Sequence, residues 1–288
     1  MEAPLDGSAP RVLYMASSPH GQIAAMAASA QWIVWAEYVG EPAHARIYGM
    51  RRVGGAPHLI DDLSMHALAY LPDFTIEEAD VYWSLPLIVD GVWQGLLMHR
   101  HLPDGQAEVL QRAPSGSIYG WPSAHAGSLA FEVADQTASK AGHPRYHVAL
   151  RQSDGVVHDL PLLPASEPSL GDRVLVVKHS DRFAEGPIAV VDLVDGKVTD
   201  LRDGEGARLS GTLSVWHSNH PGDAGDYWSS VTGRACVQRL GPAVAAGEAT
   251  VSAPAVAAGH VAWVYRRTTQ TQLAEFIEVA PILRPPCG

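Results

Sequence analysis

Histidine is the residue type with the clearest chemical potential in this chain. Two of its fourteen histidines, His217 and His220, lie three residues apart in the sequence His-Ser-Asn-His. Two imidazoles at this spacing can bind one metal ion or exchange protons as an acid–base pair. Together with His179 they predict a three-histidine site for a divalent metal ion, to which Glu132, Asp181 or Asp223 would add a carboxylate. Solvated loop histidines are the alternative interpretation, because no His-Glu-x-x-His spacing accompanies them.

The same residues are candidates for catalysis without a metal. His179 and His217 would act as acid–base groups, with Glu132 or Glu37 as the carboxylate partner. Hydrolase, lyase and isomerase chemistry all fit such a set. The chain has no Gly-x-Ser-x-Gly nucleophile motif, no phosphate-binding P-loop and no Gly-x-Gly-x-x-Gly run.

Five other side chains are candidates for binding a ligand. Arg266 and Arg267 are adjacent cations that can hold a carboxylate or phosphate through paired hydrogen bonds, although ordinary surface ion pairing is the alternative. Tyr70, Tyr119 and Trp121 can stack on a flat or sugar-like ligand. Packing within the core is the alternative for these three aromatic residues.

These candidates are distributed over a repeat of about 40–50 residues. Six apolar, aromatic-rich runs begin at residues 31, 80, 127, 172, 211 and 259. A repeat of this length built from short strands is typical of a β-propeller. Five aromatic residues recur at one position of the repeat and are expected in the core between repeats: Trp35, Trp83, Phe131, Trp216 and Tyr265.

Each repeat contains further strand signals. A second extended run follows the first, and most of these second runs lead into a glycine turn such as Asp104-Gly105 or Asp195-Gly196, which favours a hairpin. A short third run follows, and Ile23–Ala30 supplies a first strand for the first repeat. We expect an all-β, six-bladed propeller with four antiparallel strands per blade over residues 1–288. Arg11–Ser17 would be the closing strand of the last blade, so that the ring leaves no open sheet edge.

The pattern resembles the TolB-like six-bladed β-propellers, which carry a loose repeat of an aromatic-aliphatic strand, a second strand and an Asp-Gly turn. The Pro-x-Trp-Ser-Pro-Asp-Gly run of that family is absent. The resemblance implies a ring around a central channel. The ends of the aromatic-rich strands would meet at one mouth of this channel, where Glu37, Glu132, His179, His217 and Arg267 are the candidate side chains.

Two segments are expected to have no chemical role. His99-Arg100-His101 precedes a Pro-Asp-Gly turn and is expected to be an exposed polar hairpin. Gly204-Glu205-Gly206 is expected to be a turn between the fourth and fifth repeats.

Composition excludes several classes of partner. The net charge is −11 and no run of Lys or Arg exceeds two residues, which argues against nucleic-acid binding and against docking on anionic membranes. No apolar stretch approaches the ~18 residues of a membrane-spanning helix, and the N-terminus lacks the pattern of a signal peptide. We expect a cytoplasmic protein with Cys236 and Cys287 reduced; a secreted chain, with these two cysteines bonded, is the alternative.

The sequence therefore favours a propeller that binds a small polar molecule or a protein segment at the channel mouth. An enzyme with its site at the same mouth is the alternative, because propellers serve both purposes.

Overall fold

The computed structural model describes most of the first 218 residues and six later segments. The described ranges are residue 15, 22–40, 43–140, 143–182, 184–218, 227–231, 237–239, 248–250, 254–257, 260–268 and 273–281. The chain divides into two compact units, Met1–Pro122 and Ser123–Gly288, which are described separately below.

The first unit consists of antiparallel meanders in which each strand pairs with the next along the chain. Its strands are β1 (Gln22–Ala28), β2 (Trp32–Val39), β3 (His44–Arg51), β4 (His58–Ser64), β5 (Phe74–Glu77), β6 (Asp80–Val89), β7 (Val92–His101) and β8 (Glu108–Arg112). A short 3-10 helix, Met65–Ala67, follows β4. The β6–β7 hairpin turns at Asp90-Gly91, where both residues have positive φ, as this two-residue turn requires.

The core of the first unit lies between its two meanders. Trp32 and Val34 of β2 pack with Trp83 of β6, and Ile47, Ile60, Ile76, Val81 and Leu102 complete the buried cluster. Trp83 is fully buried, and its indole N–H donates to Asp61 at 3.1 Å. Because alternate side chains of a strand point to opposite faces, the apolar residues of this cluster share the inward faces of their strands.

Gly95 of β7 is required where another strand approaches closely. A Cβ atom at this position would lie 2.6 Å from the Cα atom of Ile118, which belongs to β9 (Ser117–His125). The neighbouring Gln94 pairs with Ser117 of β9 in parallel. Any side chain at position 95 would therefore push these two backbones apart.

The second unit continues the same arrangement. Its strands after β9 are β10 (Ser128–Lys140), β11 (His143–Arg151), β12 (Val157–Asp159), β13 (Ser166–Leu170), β14 (Val174–Lys178), β15 (Pro187–Asp192), β16 (Val198–Asp203), β17 (Glu205–Ser210), β18 (Leu213–His217), β19 (Tyr227–Val231), β20 (Val237–Arg239), β21 (Glu248–Thr250), β22 (Ala255–Ala257), β23 (His260–Thr268) and β24 (Leu273–Pro281). The strand orders β9 to β12, β13 to β16 and β17 to β20 are again meanders. In the last group, β21 and β22 both pair with β23, which also pairs with β24.

Two buried clusters stabilise the second unit. One joins Ala130 and Val148 to Leu175, Val177 and Ala189 of the next meander. The other joins Val176, Ile188 and Val190 to Ala207 and Trp216 of the following meander. Each cluster therefore lies between two successive meanders, where aliphatic and aromatic surface is removed from water.

The structure confirms the all-β prediction. All six aromatic-rich runs lie in strands, namely β2, β6, β10, β14, β18 and β23. Trp35, Trp83, Phe131 and Trp216 are buried, as expected of the repeat aromatics. The predicted closing strand Arg11–Ser17, apart from Met15, and the side chain of Tyr265 lie outside the described residues. Within the described part of the chain, no helix is long and apolar enough to cross a membrane.

Candidate functional site

A cluster of buried charges lies in the second unit, centred on Lys178 at the end of β14. The Lys178 side chain is 1% exposed, and its ammonium donates to the backbone carbonyl of Arg182 at 2.9 Å. The same nitrogen lies 3.5 Å from Oε1 of Glu167 and 3.9 Å from Oε2 of Glu205. A buried ammonium is costly unless it is paired and hydrogen-bonded, and these three contacts supply that compensation.

Two buried glutamates extend this cluster. Oε2 of Glu132 accepts a hydrogen bond from the backbone N–H of Glu167 at 3.2 Å, and Oε1 lies 3.5 Å from Nη1 of Arg182. Oε2 of Glu167 accepts a hydrogen bond from the backbone N–H of Gly206 at 2.6 Å. The carboxylates therefore link β10, β13 and β17, which belong to three successive meanders.

The solvent-facing side of the cluster is formed by Arg182, Glu205 and His217. Their side chains are 21%, 41% and 17% exposed, in that order. Nδ1 of His217 lies 3.3 Å from Oε1 of Glu205. We refer to Glu132, Glu167, Lys178, Arg182, Glu205 and His217 as the ionic cluster. The interior of the cluster is buried. Its accessible rim carries a carboxylate, an imidazole and a guanidinium.

The loop between β14 and β15 holds Arg182 in place. The Ser180 hydroxyl contacts the carbonyls of Asp181 and Ala184 at 3.3 and 3.2 Å, while the Ser166 hydroxyl donates to the Ser180 carbonyl at 2.9 Å. A Cβ atom on Gly186 would lie 2.5 Å from Cβ of Ser180, so the loop closes tightly there. The bond from Lys178 to the Arg182 carbonyl ties the loop to the strands beneath it.

A backbone conformation with positive φ recurs at three positions, and each of them donates a hydrogen bond to a carboxylate. Trp121, Glu167 and Gly206 all have positive φ, at 46°, 54° and 63°, and each donates its backbone N–H to a carboxylate that comes earlier in the chain. Asp73 accepts from Trp121 at 3.1 Å in the first unit. The pairing registers of β13 and β17 shift at these positions, as at a β-bulge.

A serine two residues beyond the positive-φ residue adds a second link. Ser123 accepts a hydrogen bond from the Leu170 backbone at 2.9 Å, and Ser169 accepts one from the Leu209 backbone at 3.0 Å. The two serines lie in the sequences Trp-Pro-Ser and Glu-Pro-Ser. This recurring Pro-Ser pair is the signal from which the position of Glu167 could have been inferred.

Solved structures with a similar fold include β-propellers. TolB from Acinetobacter baumannii matches 79% of this chain and 55% of its own, with 16% identity and a TM-score of 0.55. The β-propeller domain of the Trilobed protease from Pyrococcus furiosus matches 92% of this chain and 86% of its own, with 9% identity and a TM-score of 0.58. The chain has a TolB-like β-propeller fold.

Larger proteins contain similar propellers. A puromycin-hydrolyzing peptidase from Mycobacterium tuberculosis matches 90% of this chain but 45% of its own, with 12% identity and a TM-score of 0.62. The chain thus spans about half the length of TolB and of this peptidase. No protein-family model and no curated protein matches it. At such identities the likeness between structures shows the fold alone.

In the propeller each meander is a blade, and the predicted site residues of the second unit separate into two groups. Glu132 and His217 belong to the ionic cluster, in which Glu167, Lys178 and Glu205 connect them. His179 does not: its Nδ1 lies 2.9 Å from Oδ1 of Asp200. Lys178 and His179 are consecutive, so they point to opposite sides of the blade. The side chains of His220, Arg266 and Arg267 lie outside the described residues.

The other predicted residues belong to the first unit. Glu37 is fully buried and Tyr119 is nearly so, whereas Tyr70 is partly exposed and contacts the edge of Trp93, with 5.6 Å between ring centroids. Trp121 is also partly exposed, with its backbone bonded to Asp73 as described above.

Tyr38 lies next to Glu37 on β2 and has a strongly perturbed hydroxyl. Burial, and then the negative charge of Asp73, raises the pKa of Tyr38 to about 12. The phenol therefore stays protonated at alkaline pH values at which an ordinary tyrosine loses its proton.

Two surface expectations need correction or detail. Glu205 is not in a turn; it begins β17 and contacts both Lys178 and His217. The spacing of glycines suggested a turn, but Gly206 is needed for its positive φ within the strand. His99 is only 19% exposed and contacts Asp80 at 2.8 Å and Glu108 at 2.9 Å.

The described residues give no support to a preformed metal site. Among their His, Cys, Asp and Glu side chains, no group of three or more could hold a metal ion. His220, which the sequence places in the three-histidine site, is not among them, and neither are Cys236 and Cys287.

Proposed function

We propose that this protein is a six-bladed propeller that binds a small polar molecule at the ionic cluster, near the mouth of its central channel. The observation that carries the proposal is the buried Lys178, which links carboxylates from two neighbouring blades and the Arg182 loop. A stable blade interface does not need such a group, because hydrophobic residues of similar volume serve as well or better.

The cluster is organised to bind a ligand at low cost. Glu132 and Glu167 are held by backbone N–H groups, and Arg182 is held by a bonded loop. Groups that are already oriented and partly desolvated lose little entropy when a ligand arrives. The partly exposed side chains of Arg182, Glu205 and His217 are the ones that would contact it.

Acid–base catalysis at the same rim is the second candidate function. The contact between Nδ1 of His217 and Oε1 of Glu205 favours it, because a carboxylate that orients one imidazole nitrogen prepares the other for proton transfer. In this candidate Glu205 takes the place of Glu132 or Glu37 as the carboxylate partner of the histidine. Several structurally similar proteins are peptidases, among them the puromycin-hydrolyzing peptidase, so a peptide-like substrate or a protein segment belongs to this candidate.

Ligand-dependent stabilisation tests the proposal. A panel of amino acids, amines, carboxylates and sugar phosphates is screened for compounds that raise the melting temperature. At least one compound should stabilise the native protein, and Arg182→Ala and His217→Ala should abolish that shift. Arg173→Ala removes an exposed arginine elsewhere in the unit and is the matched control. If every active compound stabilises all three variants equally, the ionic cluster is not the binding site.

A further inference from the structure

We infer that the ligand of the ionic cluster carries both an ammonium and a carboxylate group, as an amino acid does. This inference rests on the proposed function and adds the chemical class of the ligand. It follows from the two opposite charges among the partly exposed side chains of the cluster, the guanidinium of Arg182 and the carboxylate of Glu205.

Arg182 provides the anion-binding side. Its Nη1 lies 3.5 Å from Oε1 of Glu132, and its side chain is 21% exposed. A guanidinium has five N–H donors in a planar fork, the geometry that binds a carboxylate through two parallel bonds. The loop bonds that fix its backbone limit the entropy lost when this happens.

Glu205 provides the cation-binding side. Its two oxygens face different partners, Oε1 towards His217 and Oε2 towards Lys178. An ionised carboxylate is a strong acceptor for the N–H groups of an ammonium. Glu205 has the most exposed side chain of the cluster, which makes it accessible to an incoming group.

Lys178 fixes the two sides relative to each other. Its ammonium is 2.9 Å from the Arg182 carbonyl and 3.9 Å from Oε2 of Glu205, so both rim residues are anchored to one buried atom. A ligand with only a negative charge would be repelled by Glu205, and one with only a positive charge by Arg182. A zwitterion satisfies both, and the rim thereby discriminates against singly charged compounds.

Calorimetric titration with matched compounds tests this inference. Glycine, 4-aminobutyrate and 6-aminohexanoate carry both charges at increasing separation, whereas butylamine and butyrate each carry one. At least one zwitterion should bind at least about 10-fold more tightly than either singly charged compound, a difference equivalent to about 1.4 kcal/mol. A singly charged compound that binds as tightly as every zwitterion overturns the inference.

Two variants assign the charges to residues. Arg182→Ala should lower the affinity for the best zwitterion to that of butylamine, and Glu205→Gln should lower it to that of butyrate. Arg173→Ala and Asp195→Asn change an exposed arginine and an exposed acidic residue outside the cluster and should leave both affinities unchanged. If no zwitterion binds while other members of the wider panel do, the inference fails and the proposed function stands. If nothing in the panel binds, the proposed function fails with it.

Discussion

Lys178 and Glu167 form a buried ion pair on neighbouring strands: Nζ of Lys178 lies 3.5 Å from Oε1 of Glu167, and the two side chains are 1% and 5% exposed. The other oxygen of Glu167 accepts the Gly206 backbone N–H at 2.6 Å. Glu167 thus neutralises Lys178 and also accepts a hydrogen bond from a backbone N–H of the next blade. Its own backbone adopts a positive φ of 54°, which costs a non-glycine residue about 1 kcal/mol or more.

Replacing Lys178 should therefore destabilise the protein strongly. Lys178→Met keeps the volume of the stem but leaves Glu167 with an uncompensated charge. We expect a loss of about 3–5 kcal/mol in the free energy of unfolding, measured by urea denaturation. Lys197→Met, at an exposed turn position, is the control and should change stability by less than about 0.5 kcal/mol. Equal effects of the two substitutions would contradict the role of the pair.

Gly206 should be sensitive to a single methyl group. Its φ of 63° lies in the left-handed region, where an L-residue is strained. Gly206→Ala should cost about 1–2 kcal/mol in unfolding free energy. Gly40→Ala is the control, because Gly40 has no atom within 4 Å of its would-be Cβ and has no positive φ. A stabilised Gly206→Ala variant would show that this backbone conformation is not required.

Trp83 should be one of the most costly core residues to truncate. It is fully buried between the two meanders of the first unit, so Trp83→Ala leaves a large cavity and also removes the hydrogen bond to Asp61. We expect a loss of about 3–5 kcal/mol in denaturant unfolding. Val53→Ala, at an 85% exposed position, should be nearly neutral. A loss below about 1 kcal/mol for Trp83→Ala would mean that the core does not depend on this residue.

Asp80 should titrate below its usual range. Partial burial alone would raise its pKa, but the hydrogen bonds and charges of His99 and His101 together outweigh burial and lower the pKa of Asp80. Because the folded-state pKa is lowered, this carboxylate contributes stability above the unfolded-state value and loses it as the pH falls through the folded-state value.

Carbon-13 NMR of the Asp80 carboxyl checks this prediction. His101→Ala removes a contact of 3.0 Å and should move the pKa of Asp80 upwards, towards its ordinary value. The free-energy difference between the native protein and Asp80→Asn should shrink as the pH is lowered below the ordinary aspartate pKa. An Asp80 carboxyl that titrates above its ordinary value would contradict the structure.

The N-terminal residues test the closure of the propeller. If Arg11–Ser17 completes the last blade, deletion of residues 1–17 exposes a strand edge and should lower the melting temperature of the whole ring. Adding a synthetic peptide of residues 1–17 to the truncated protein should restore part of the loss. An unchanged melting temperature after deletion would show that the ring is not closed by this segment.

The strands of this protein could be predicted from sequence because their signals are local. In β10, the buried run Leu129, Ala130, Phe131 and Val133 is interrupted only by Glu132, and such a short apolar run is visible in the residues themselves. Glycine turns and the repeat of about 40–50 residues then order the strands into meanders. Such reasoning yields the fold class and the buried aromatic residues without any knowledge of which strands lie next to each other.

The ionic cluster could not be predicted in the same way, because its contacts join residues far apart in the chain. Glu132 accepts a hydrogen bond from the backbone of Glu167, 35 residues away, and Glu167 accepts one from the backbone of Gly206, 39 residues away. Sequence reasoning grouped His179 with His217 and treated Glu205 as part of a turn. The actual partners of these residues are set by the pairing of β17 with β18 and by the packing of β13 against β17. Residue types and periodicity determine the strands, whereas the partners of a buried charge depend on how neighbouring blades pack.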